Sequence, residues 1–132
     1  MPKLSSLVRI AVSLLMVVGV ARGQSQFGSI AGHVTDPSQA VVPGAEVRAT
    51  NEETNVTSSA PTGGSGTYVI SGLLPGTYTV SVQAGGFKEF RLTGVAVRAA
   101  RTTGTDIQLE LGLTEEHVTV SATGAQINTQ SG

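Results

Sequence analysis

Any catalytic or metal-binding chemistry in this chain would have to come from His33, His117, the adjacent acid pairs Glu52-Glu53 and Glu115-Glu116, and its many serines. A metal ion needs three or four converging ligands, and neither histidine stands in a His-x-His or His-x-x-Glu spacing. Neighbouring carboxylates diverge in an extended chain, whereas glycoside cleavage needs two acids facing each other across about 5–10 Å. The serines have no Gly-x-Ser-x-Gly elbow and no histidine placed to serve one. Gly63-Gly64-Ser65-Gly66 lacks the Lys-Ser/Thr and the following helix that make a phosphate loop, so it reads as a turn. Both histidines are expected on the wet face of strands. The expectation is a non-enzyme with no metal and no cofactor.

The elements that carry these residues alternate with period two, as in sheets with one wet face. Tyr68 and Ile70 share one parity, and so do Tyr78, Val80 and Val82, with Pro75-Gly76 between the two runs. Pro75 presets φ for a turn, and Gly76 is expected to supply the positive φ of a type II turn. Ile30-Gly32-Val34, Val47-Ala49, Val95-Val97, Ile107-Leu109-Leu111 and Val118-Val120-Ala122 repeat the pattern, and a short strand is expected around Phe87 to Leu92. Turn residues recur about every 8–12 positions, the mark of an all-β sandwich or barrel. The clean alternation predicts seven or eight antiparallel strands. The polar stretch from Asn51 to Gly66 reads as a long loop, with an irregular edge strand near Asn55 to Ser58. Asn55-Val56-Thr57 fits a glycosylation sequon, a weak three-residue match.

The chain of 132 residues opens with Lys3 and Arg9, an apolar run from Ile10 to Val20, and Ala21-Arg22-Gly23 as a small-x-small cleavage site. That is a signal peptide, residues 1–23, too short in its apolar part to span a bilayer. Export follows. The remaining Gln24–Gly132 carries five basic residues against nine acidic ones, a net charge of −4. This offers no footprint for nucleic acid. Zero cysteines rule out disulfides, thiol nucleophiles and thiolate metal sites. Two tyrosines, three phenylalanines and no tryptophan leave little for stacking on a ligand. The sandwich is expected over 24–114, followed by a last strand or partner-binding segment and a polar tail over 115–132. The tail reads as a linker, as though the chain were a fragment of something longer.

Three ordered pieces add a family. Gly32-x-Val34-x-Asp36, then Val42-Pro43-Gly44-Ala45-x-Val47, then Gly66-x-Tyr68-x-Ile70-x-x-Leu73-x-Pro75-Gly76-x-Tyr78-x-Val80 leading to Gly86-Phe87 together resemble the carboxypeptidase regulatory-like domain. The resemblance runs from about Ile30 to Leu111. It implies a seven-stranded transthyretin-like sandwich, grouped with carbohydrate-binding-like folds, and carries no peptidase activity with it. Such domains also form the N-terminal extension of TonB-dependent outer-membrane receptors, directly after a signal peptide. There, Glu116-His117-Val118-Thr119-Val120-Ser121-Ala122 is similar to a TonB box, which binds by adding a strand to a partner sheet. Two readings of Glu116–Ala122 stay open: partner-binding strand or last strand of the sandwich. The implied partners are a periplasmic TonB-like protein or the receptor's plug and barrel. A free carbohydrate-binding module is the alternative, with Phe27, Phe87 and Phe90 as the only candidate stacking aromatics, each expected to pack the core instead. The sequence is also similar to Cna-B-type pilin modules. Their Lys–Asn isopeptide bond is not expected here, because Lys88 lies in a late strand and Val82-Gln83 occupy the place of the assisting acid.

Overall fold

The computed structural model describes residues 25–113 and 115–122; the expected signal peptide and the tail from Thr123 lie outside these residues. Nine strands and no helix are found among the described residues: β1 (Gly28–Thr35), β2 (Glu46–Asn51), β3 (Thr57–Pro61), β4 (Thr67–Leu73), β5 (Gly76–Gln83), β6 (Glu89–Val97), β7 (Thr102–Gly104), β8 (Ile107–Gln108) and β9 (His117–Ser121). One sheet runs β4-β1-β7, with β8 continuing alongside β1; the other runs β3-β2-β5-β6-β9. The all-β sandwich is therefore present. It is not purely antiparallel, since β7 and β8 run parallel to β1, and β9 runs parallel to β6.

Between the sheets lie Ile30 and Val34 from β1, Val47 and Ala49 from β2, Tyr68 and Ile70 from β4, Tyr78, Val80 and Val82 from β5, and Val95 and Val97 from β6, all buried. The two parity sets of tyrosines thus face the core. Their connection is a different matter. β4 belongs to one sheet and β5 to the other, so Leu74-Pro75 is an arch between sheets and not the turn of a hairpin. Gly76 does not adopt the expected positive φ; Gly72 does, at 70°. It sits in a bulge where three steps along β4 match two along β1, returning Leu73 to the buried face. Gly76 is small for another reason: a Cβ there would come within 3.1 Å of Asn51 Nδ2. Asn51 is buried and its Oδ1 accepts from the Glu53 and Thr54 N–H groups, closing the β2–β3 turn.

Other expectations shift in detail. The strands expected near Phe87–Leu92 and Val95–Val97 are one strand, β6, bent by a bulge at Gly94 (φ 75°). The expected loop from Asn51 to Gly66 holds β3, fully paired with β2 from Glu46↔Pro61 to Thr50↔Thr57. Leu111 is 66% exposed and does not extend the buried parity of Ile107 and Leu109.

The family-type residues converge on one backbone carbonyl. Gly32 pairs with Tyr68 across β1 and β4. The Tyr68 hydroxyl donates to the Thr105 carbonyl at 2.6 Å, and a Cβ on Gly32 would collide with that same carbonyl. Glycine is needed here for close approach. Burial, with the Asp106 carboxylate second, pushes the Tyr68 phenol well above its ordinary value of 10.0. It is held as a neutral donor. Tyr78 closes the arch, its hydroxyl donating to the Leu74 carbonyl at 2.8 Å, the geometry of a tyrosine corner.

Candidate functional site

Glu116–Ala122 forms the outer strand of the five-stranded sheet. Its register against β6 runs Glu89↔His117, Phe90↔Val118, Arg91↔Thr119, Leu92↔Val120 and Thr93↔Ser121. The Glu89 N–H donates to the Glu116 carbonyl at 2.8 Å, and the Ala122 N–H to the Thr93 carbonyl at 2.7 Å. Parallel pairing alternates, so the even-numbered residues bond to β6 while His117, Thr119 and Ser121 turn their N–H and C=O groups to the other edge. No side chain of β9 is fully buried; Val118 and Val120 are half-buried and His117, Thr119 and Ser121 exposed. This strand is tied to the sheet mainly by its backbone.

Its head is tied by charge. Glu89 is the one buried ionisable carboxylate among the described residues. It contacts His117 Nδ1 at 2.6 Å and the Arg91 guanidinium at 3.4 Å. Lys88 reaches Glu116 at 3.3 Å and Glu110 at 3.7 Å. Its alkyl stem lies over Gly112, where a Cβ would come within 2.6 Å of Lys88 Cγ. The lysine is thus engaged by two carboxylates. His117 is solvent-facing as expected, but its carboxylate partner was not foreseen. Glu89 and His117 are distant in sequence, and only the cross-strand register brings them together.

His33 is also exposed, 3.4 Å from Asp106. The two histidines lie in different sheets, on β1 and β9. Glu52 leaves its neighbour Glu53 and binds inward along the sheet: its Oε1 accepts from the Thr79 hydroxyl at 2.9 Å and from the Gly94 N–H at 3.0 Å. It anchors the β6 bulge. Around it, Thr50, Asn55, Thr79, Ser81, Arg91 and Thr93 line a shallow polar groove of about 540 Å³ on the sheet's outer face. No group of three or more potential metal ligands is found among the described residues.

A smaller depression of about 250 Å³ lies at the arch, lined by Phe27, Val56, Leu74 and Tyr78 among others. Phe27 is 48% exposed, against the expectation that it packs the core. Phe87 and Phe90 do pack against the core, partly buried.

A two-sheet β module with a peripheral edge strand is the class that this geometry defines. Residues 29–110 match the carboxypeptidase regulatory-like domain, and the chain belongs to that family. No curated protein matches the chain. Among solved structures, a chain of the type II cohesin–X-dockerin complex from Acetivibrio cellulolyticus is similar (TM-score 0.51, 23% identity, 64% of this chain and 58% of that one). So is a putative carbohydrate binding protein from Bacteroides uniformis (TM-score 0.51, 20% identity, 61% and 40%). A minor pilin of Streptococcus agalactiae matches likewise (TM-score 0.51, 15% identity, 70% and 48%). The chain spans roughly half the length of these structures, and at such identities the likeness is one of fold.

Proposed function

We propose that the chain is a non-enzymatic, exported interaction module that forms the N-terminal extension of a TonB-dependent outer-membrane receptor. It works in the periplasm, and Glu116, His117, Val118, Thr119, Val120, Ser121 and Ala122 form the segment offered to a TonB-like partner. The observation that carries this reading is the position of β9: directly after the family domain, at a sheet edge, with no side chain fully buried. A segment that binds by main-chain pairing must be extended, β-prone and separable from its own core. The apolar run and cleavage site at the N-terminus support export. The deciding experiment reads the gene beyond Gly132 and measures binding of the chain to a TonB C-terminal domain. An in-frame plug and barrel, with binding lost in Val120→Pro, supports the assignment. A stop codon with no neighbouring barrel frame, or binding indifferent to that proline, removes it.

One observation favours the second reading, a carbohydrate-binding module. Phe27 is an exposed aromatic beside the depression at the arch, and aromatic faces are what sugar rings stack on. Calorimetric titration with oligosaccharides tests it; heat that vanishes in Phe27→Ala supports this reading, and no heat with any saccharide eliminates it.

A further inference from the structure

The β6 edge reads the strand that lies on it. Lys88 and Glu89 stand side by side at its start, and they pair in order with Glu116 and His117 at the start of β9. Beyond this charged head, half-buried Val118 and Val120 lie beside the half-buried Phe90 and Leu92. The site thus selects an acid, then an imidazole, then alternating β-branched residues. We propose that this edge, from Lys88 to Thr93, is a strand-accepting site that also takes Glu116–Ala122 from a second copy of the chain, giving a strand-exchanged pair.

Three features support the exchange. The contacts that seat β9 are the same whether the strand comes from its own chain or from another, so exchange sacrifices no pairing. Emptying the seat leaves the core between the sheets closed, because β9 is an edge strand without a fully buried side chain. The connection just before it carries Leu111 and Leu113, 66% and 68% exposed. In an exchanged pair the two crossing connections run together, and these leucines gain apolar neighbours that a single copy does not supply. Against this stands the local concentration of a strand on its own tether, of millimolar order. Exchange therefore belongs to concentrated protein.

The proposal rests on the reading of Glu116–Ala122 as a separable strand, but it is tested without any TonB-like protein. The chain has no cysteine, so introduced thiols are unambiguous. Arg91 and Thr119 are register partners with both side chains exposed, and paired strands bring Cα atoms within disulfide reach. The double variant Arg91→Cys/Thr119→Cys should form a disulfide within one chain when dilute; failure to do so would overturn the seating itself. Equal amounts of the single variants Arg91→Cys and Thr119→Cys are then incubated at high concentration and oxidised. The expected product is the mixed 91–119 inter-chain disulfide, in excess over the two self-pairs and growing with protein concentration. Lys88→Glu in the Arg91→Cys chain should change it little, because that chain's own Glu116 is repelled equally, and adding Glu116→Lys in the Thr119→Cys chain should raise it by about two- to fivefold. Random pairing of the thiols, or a mixed product blind to the charge swap, overturns the exchange. Neither result bears on whether TonB binds.

Discussion

The arch between β4 and β5 and the edge strand β9 are built from similar sequence, alternating β-branched residues with hydroxyl residues between them, yet they are held in different ways. At the arch, Tyr68 and Tyr78 are buried, and each hydroxyl is spent on a backbone carbonyl, of Thr105 and Leu74. Gly32 and Gly76 clear space for the groups that press against them. At β9, the side chains are half-buried or exposed, and the polar contacts, a Lys88–Glu116 ion pair and a 2.6 Å contact between Glu89 and His117, lie at one end. Alternation alone marks a strand; the depth of its side chains decides whether the strand is structural or exchangeable. Recognisability and function separate along the same line. The residues that identify the family lock the two sheets together, and the segment proposed to act on a partner lies at the rim.

The sharpest way to break this contrast is a charge in the arch. Tyr78→Asp places an unpaired carboxylate in a small core, at a cost of several kcal/mol that should leave the domain unfolded at ambient temperature by circular dichroism. Melting within a few degrees of the parent would mean that the arch is no more fixed than the edge. Tyr68→Phe is milder. It leaves the Thr105 carbonyl buried without its donor, which should cost about 1–3 kcal/mol in denaturant unfolding. The same phenol sets an alkaline limit. Its folded-state value is raised, so the native state keeps a proton that the unfolded chain starts to release near 10.0. Stability is fully present below pH 10 and falls as pH rises beyond it. Tyr68→Phe should flatten that fall, and an unchanged alkaline profile would remove Tyr68 as its cause.

The sequence carried the facing of nearly every core residue, because period-two alternation survives in β2, β5 and the end of β6 without reference to partners. It could not carry which sheet a strand joins. A hairpin turn and an inter-sheet arch both use Pro-Gly after alternating residues, and only the pairing of β4 with β1 and of β5 with β2 tells them apart. β3 shows in the sequence only as an irregular edge strand near Asn55 to Ser58, because Thr57-Ser58-Ser59-Ala60-Pro61 has no large apolar residue to mark a face. β7 is too short to show a period, and β8 keeps only the start of the alternation read from Ile107 to Leu111. At the candidate site, the segment Glu116–Ala122 was legible as a β-prone strand, whereas its tether was not. Glu89 sits among Lys88, Phe90 and Arg91 like any surface acid, and only the register with β9 brings His117 to it.

That tether gives the contrast its quantitative edge. His117→Ala leaves Glu89 with Arg91 alone at 3.4 Å, and a deprived buried charge-bonded group costs roughly 1–3 kcal/mol. The loss should stay local. Amide exchange at Val118, Val120 and Ala122 should accelerate, while amides of β2 and β5 keep the protection of global unfolding. If the core amides accelerate equally, β9 is an integral part of the sandwich and the contrast with the arch collapses.

The smallest effect is expected from Lys88→Gln. Lys88 touches two carboxylates, Glu110 and Glu116, at 3.7 and 3.3 Å, with 29% of its side chain exposed. Pairs at such distances near the surface contribute about 0–1 kcal/mol and weaken as salt is added. The substitution should leave the melting temperature nearly unchanged yet loosen β9, because Glu116 is the first residue of the segment to meet β6. Raising the salt concentration should reproduce that loosening in the parent chain and have little further effect in the variant. The two outcomes separate charge from packing at the edge. Salt-dependent exchange of the Val118 amide in the parent alone assigns the head of β9 to the lysine; equal salt dependence in both chains would assign it to Glu89 and His117.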